Sequence, residues 1–95
     1  MITFDELIDL ANKFIDDLNR DDIDGIFIAG NPILSEIIPE KYICRSLGGN
    51  KFGSGTYNGR TYMFYLTDDL KINEVTILPI PKCKVEYNLY DLMED

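Results

Sequence analysis

Histidine and tryptophan are both missing from this 95-residue chain, and alanine occurs only twice. Without histidine, the chain lacks the one side chain whose ordinary pKa lies near neutrality, so Ser-His and Cys-His routes to nucleophilic catalysis are closed. Cysteine is scarce as well. Cys44 and Cys83 stand far apart in sequence and cannot supply the clustered ligands of a zinc site. A small secreted domain usually carries several disulfides, so both read as free thiols, with Cys83 a small hydrophobe on the apolar side of a strand. No run approaches the ~20 apolar residues of a membrane span. The start, Met1-Ile2-Thr3-Phe4-Asp5-Glu6, shows neither the basic nor the apolar region of a secretion signal. The expectation is a cytoplasmic, single-domain protein (residues 1–95) with one small core.

Basic residues are the other shortage. Nine Lys and Arg stand against 17 Asp and Glu, for a net charge of −8. The imbalance is uneven: residues 1–40 hold ten acids and two bases, whereas residues 41–67 hold four bases (Lys41, Arg45, Lys51, Arg60) and no acid. Most of such a surface repels nucleic acid and anionic membranes, so direct binding to either is not expected. Isoleucine is abundant, with 13 copies, and Asn, Asp and Tyr are frequent. That usage matches AT-rich coding sequence, as in low-GC bacteria and their phages.

The most regular pattern is N-terminal. Thr3 and Glu6 have capping-box spacing, and Ile2 with Leu7 fits a hydrophobic staple. Phe4, Leu7, Ile8, Ala11, Phe14, Ile15 and Leu18 then recur at helical spacing, predicting an amphipathic helix over Thr3–Asn19 with Leu10 outside its apolar stripe. Ile26-Phe27-Ile28-Ala29 suits a strand buried on both faces. Asn31 as N-cap and Pro32 at the first helical position predict a short helix carrying Ile33, Leu34, Ile37 and Ile38. Tyr42–Leu47 leans towards strand.

From Phe52 to Tyr87 the pattern is that of a β-meander. Asn58-Gly59 between Tyr57 and Arg60 supplies the positive-φ pair of a two-residue hairpin. Thr61–Thr67 is apolar on both faces, more than one helix can cover. Pro79 and Pro81 beside Ile80 place that strand at a sheet edge or bulge. Cys83, Val85, Tyr87 and Leu89 alternate with polar residues as a further strand, and Tyr90–Asp95 is an acidic tail. The expected class is α+β, with the N-terminal helix packed on a mainly antiparallel sheet.

Several chemistries fail on inspection. Carboxylate pairs could do acid–base work, but they need a cleft for which this chain has little room; no enzyme is expected, and no catalytic residue, cofactor or metal. In Gly48–Gly55 the residue after Gly53 is Ser54, where a phosphate loop needs Lys, and the glycine spacing misses the dinucleotide fingerprint, so the stretch reads as a flexible inter-strand connection. Arg20–Gly25 resembles a calcium loop only until the first ligand position, which Arg20 occupies.

The acidic surface is what remains. Asp5 and Asp9 on the helix, Asp16 and Asp17 at its end, and Asp21, Asp22 and Asp24 beyond it are the candidate partner-binding residues. Asp16 and Asp17 oppose the helix dipole, and a local rule broken without compensation marks a place where function can impose itself. These residues suit a module that occupies the basic, nucleic-acid-binding surface of another protein. Phage-encoded inhibitors of host nucleases, anti-CRISPR and anti-restriction proteins, are similar to this chain in size, acidity and composition. The alternatives are an immunity protein or antitoxin for a basic toxin, and a small anionic-ligand protein using Gly48–Gly55 with Lys51 and Arg60. A homodimer is compatible with all three.

Overall fold

A computed structural model describes residues 2–43 and 45–82. The expected strand over Cys83–Leu89, the tail Tyr90–Asp95 and both cysteines lie outside them. A single α-helix, α1 (Phe4–Asp16), is followed by strands β1 (Ile23–Gly30), β2 (Arg45–Leu47), β3 (Asn50–Tyr57), β4 (Arg60–Leu66) and β5 (Val75–Pro81). Two 3-10 turns, Pro32–Glu36 and Glu40–Tyr42, link β1 to β2. The sheet runs β2-β3-β4-β1-β5, four long strands extended by the short β2. α1 packs on one face, so the α+β class with a one-sided helix holds.

The sheet is not the expected meander. The β3–β4 hairpin forms as predicted, with Asn58 at φ 51° and Gly59 at φ 79°. β5, however, does not return to β4. It pairs antiparallel with β1, while β1 pairs parallel with β4 through Ile28↔Phe64. The cause lies in β1 itself: Ile26, Ile28 and Ala29 are buried and Phe27 is half-buried. A strand apolar on both faces is stable only between two neighbours, so β1 enters the sheet and pushes β5 to the edge. Pro79 and Pro81 sit on that edge strand, where missing amide donors cost least. Asp24 has no partner opposite the Ile80–Pro81 step, forming a β-bulge at the sheet's end.

Gly48–Gly55 is also not a flexible connection. Gly48 (φ 58°) and Gly49 (φ 86°) make a turn, and from Asn50 onward the segment is strand β3. The remaining glycines have a packing role. A Cβ at Gly53 would lie 1.6 Å from the Tyr42 carbonyl oxygen, and one at Gly55 would lie 1.9 Å from the Tyr42 ring. The two bare positions form a trough for Tyr42, which belongs to a 3-10 turn before β2 rather than to the strand expected from Tyr42 on. Its ring stacks on Phe4 at 5.7 Å and meets Phe64 at 6.2 Å. The other 3-10 turn, capped by Asn31 as predicted, buries Leu34 over Gly30.

The core joins Leu7, Ile8, Ala11 and Ile15 of α1 to Ile26, Ile28, Tyr62, Phe64 and Leu66. Two residues predicted for the stripe fall outside it. The helix stops at Asp16, and Asn19 turns the chain with φ 53°, leaving Leu18 beyond the last turn. Phe14, at the stripe's margin beside exposed Leu10, is 51% exposed. Phe64→Ala, at a site 3% exposed, should therefore cost about 3–5 kcal/mol. Phe14→Ala should cost about 1 kcal/mol or less. Denaturant midpoints of the two variants check this ranking.

Candidate functional site

α1 begins where the sequence places it. Thr3 and Glu6 form a complete capping box, with the Glu6 amide donating to Thr3 Oγ1 at 3.2 Å and the Thr3 amide donating to Glu6 Oε1 at 3.2 Å. Starting the helix there fixes the phase of everything after it. Asp5, Asp9, Asn12 and Asp16 follow at i, i+4, i+7 and i+11, a polar stripe beside the buried one. Each of the three aspartates is exposed.

The β3–β4 hairpin supports this stripe. The Tyr57 hydroxyl donates to Asp5 Oδ1 at 2.7 Å. Asn12 Nδ2 donates to the Ile8 carbonyl and to the Tyr62 hydroxyl, both at 2.8 Å. Arg60 donates to Asn12 Oδ1, and the same nitrogen lies 3.7 Å from Asp16 Oδ1. Asp9, Asn12, Asp16, Asn58, Arg60 and Tyr62 line a shallow groove of about 460 Å³ between helix and hairpin. One guanidinium thus relieves the Asp16 end of the stripe. Asp9 has no ion-pair partner among the described residues.

The other candidate acids gather past the helix end. Asp17 caps α1, Asp21 and Asp22 lie in the turn, and Asp24 occupies the bulge. All are exposed. Arg20, standing where a calcium loop's first ligand belongs, instead binds Asp22 with two hydrogen bonds of 2.8 and 2.6 Å. This pairing holds the Asp22 carboxyl below its ordinary pKa. The seven acids therefore form one ordered row on α1, Asp5, Asp9 and Asp16, continued by a looser group that is partly neutralised by Arg20.

Asn12 and Tyr57, which help organise the row, were not among the residues singled out from the sequence, and Arg60 was read there as an anionic-ligand residue rather than as a partner of the α1 acids. The i+7 step from Asp5 to Asn12 was a usable signal for the first; the hairpin partners depend on long-range packing. Lys51 and Arg60 do not converge. Lys51 pairs with Leu66 and Arg60 with Tyr57, at opposite ends of the β3–β4 ladder, about 20 Å apart. Lys51 instead donates to Ser35 Oγ at 3.3 Å, beside a separate hollow of about 470 Å³ with Glu40 and Ile43. Set against known families, curated proteins and solved structures, the chain matches none. No helix among the described residues is long and apolar enough to cross a membrane.

The Asp5 contact gives a titration signature. Its hydrogen bond, and then burial and negative charge nearby, push the Tyr57 phenol above its ordinary pKa. The folded state therefore favours protonated Tyr57. This contribution is whole below the unfolded tyrosine value of about 10 and is lost as pH rises through the raised folded value. Asp5→Asn should bring Tyr57 back towards the ordinary range, read by NMR titration of its ring carbon. An unchanged titration would mean that the hydroxyl does not meet Asp5.

Proposed function

We propose that this chain is a protein-binding module that lays the Asp5–Asp9–Asp16 row of α1 on a basic, nucleic-acid-binding surface of another protein and so blocks it. The observation that carries the reading is the row itself: three exposed carboxylates on one helical stripe, steadied from the hairpin by Tyr57 and Arg60. Along the axis Asp5 and Asp9 are ~6 Å apart, and Asp9 and Asp16 ~10 Å, the order of spacing between phosphates along a nucleic-acid strand. Asp17, Asp21 and Asp24 extend the negative field past the helix end and would steer a cationic partner. A phage inhibitor of a host nuclease, of the anti-CRISPR or anti-restriction kind, is the form of this function that the size and composition favour.

An immunity protein or antitoxin would use the same row against a basic toxin, and the identity of the captured partner separates the two. The anionic-ligand reading is weaker, because Lys51 and Arg60 point to different hollows.

The test pairs wild-type chain with the double variant Asp9→Lys, Asp16→Lys as baits in host lysate. Wild type should retain a basic nucleic-acid-binding protein that added DNA displaces. Retention should fall steeply between about 0.05 and 0.2 M salt. The double variant should retain none of it while keeping the wild-type circular dichroism spectrum. Equal retention by both baits would exclude the row as the binding surface.

A further inference from the structure

Beyond the Asp24 bulge, one face of the sheet carries no charged side chain on its four long strands. Register places Phe52, Ser54 and Thr56 of β3, Thr61, Met63 and Tyr65 of β4, alternate residues of β1 centred on Phe27, and Thr76, Leu78 and Ile80 of β5 on this side. Met63, Phe27 and Leu78 form a continuous row across three strands, and the Phe52 and Tyr65 rings meet at 4.9 Å. Phe52 is 37%, Met63 45% and Leu78 51% exposed. α1, Tyr42 and Leu34 all pack on the opposite face. Among the described residues, nothing covers this one.

We infer that a second copy of this chain docks there, face to face, to form a two-fold dimer. Charge selects the occupant. The chain carries −8, so two copies repel over most of their surfaces and can approach without ionic cost only where charge is missing. A basic partner gains nothing from an uncharged face and is served by the α1 row on the other side. The face also suits itself: a two-fold axis near Phe27 sets each Met63–Phe27–Leu78 row against its copy, as an isologous interface requires. Four strands by about five residues span ~19 × 17 Å. With side-chain relief, two such faces bury on the order of 1,000 Å² in total, the lower bound of a specific interface. Edge-to-edge pairing along β5 is opposed by Pro79 and Pro81.

Dimerisation does not rest on the proposed inhibitory role, and salt separates them by sign. Screening weakens binding to a basic partner but strengthens association of two acidic copies. The experiment is light scattering coupled to size exclusion, on the full chain at about 100 µM, a concentration that detects micromolar dimers. The expected mass is twice the 10.9 kDa of one chain, undiminished by added salt. Leu78→Lys should raise the dissociation constant at least tenfold. Ser54→Glu, at an exposed position on the same face, should do likewise with an unchanged circular dichroism spectrum. Asp9→Lys should leave the dimer intact. A wild-type mass of one chain would overturn the inference and leave the face to other cover, residues 83–95 included. A dimer indifferent to both Ser54→Glu and Leu78→Lys would overturn it equally.

Discussion

A strand with apolar side chains on both faces has to lie inside a sheet, and β1 lies between β4 and β5. The rest of the architecture follows from that constraint. β1 precedes the β3–β4 hairpin in the chain but pairs with it in parallel, so the intervening 3-10 turns must carry the chain across the sheet to reach β2. Two glycines in β3 then accept Tyr42, which closes the core against Phe4 and Phe64. β5 is left at the margin, where its prolines are harmless. One face receives α1, and the other receives no described element.

The same packing fixes the chemistry of the exterior. Burying Leu7, Ile8, Ala11 and Ile15 leaves no freedom in the rotation of α1, so Asp5, Asp9, Asn12 and Asp16 must line its hairpin side. Arg60 and Tyr57 meet them there because the Asn58-Gly59 turn sets the hairpin's length and register. The three α1 acids thus share one stripe whose position the core sets, and all three stay exposed. Their mutual repulsion is only partly relieved: Arg60 serves Asn12 and Asp16, while Asp9 forms no ion pair among the described residues, with Lys13 one turn further along α1. Uncompensated negative charge held in rigid geometry is costly to the isolated chain and becomes favourable against a cationic surface.

What the sequence disclosed was mostly local. The capping box, the Asn31-Pro32 start, the Asn58-Gly59 hairpin and the edge position of Pro79 and Pro81 rest on neighbouring residues, and each stands as expected. The failures are long-range. Parallel pairing of β1 with β4 leaves no pattern in either strand, so the run of strands read as a meander. Gly53 and Gly55 looked like flexible loop residues because their purpose, making room for Tyr42, lies in a partner distant in the chain. Phe14 satisfied the helical period but lies at the stripe's margin, next to exposed Leu10, and is itself exposed. The acids were visible as a cluster; their division into an ordered row on α1 and a looser group beyond it was not, since Tyr57, Arg60 and Tyr62 reach α1 from far along the chain.

The position of β1 is the claim on which the covered face, the bare face and the orientation of the acidic row all depend. Cross-strand amide and α-proton NOEs test it most directly. The fold predicts contacts linking Ile28 to Phe64 and Phe27 to Leu78, with β1 amides among the slowest to exchange. Direct contacts between β4 and β5, such as Met63 to Leu78 backbone NOEs, with fast exchange along β1, would contradict it.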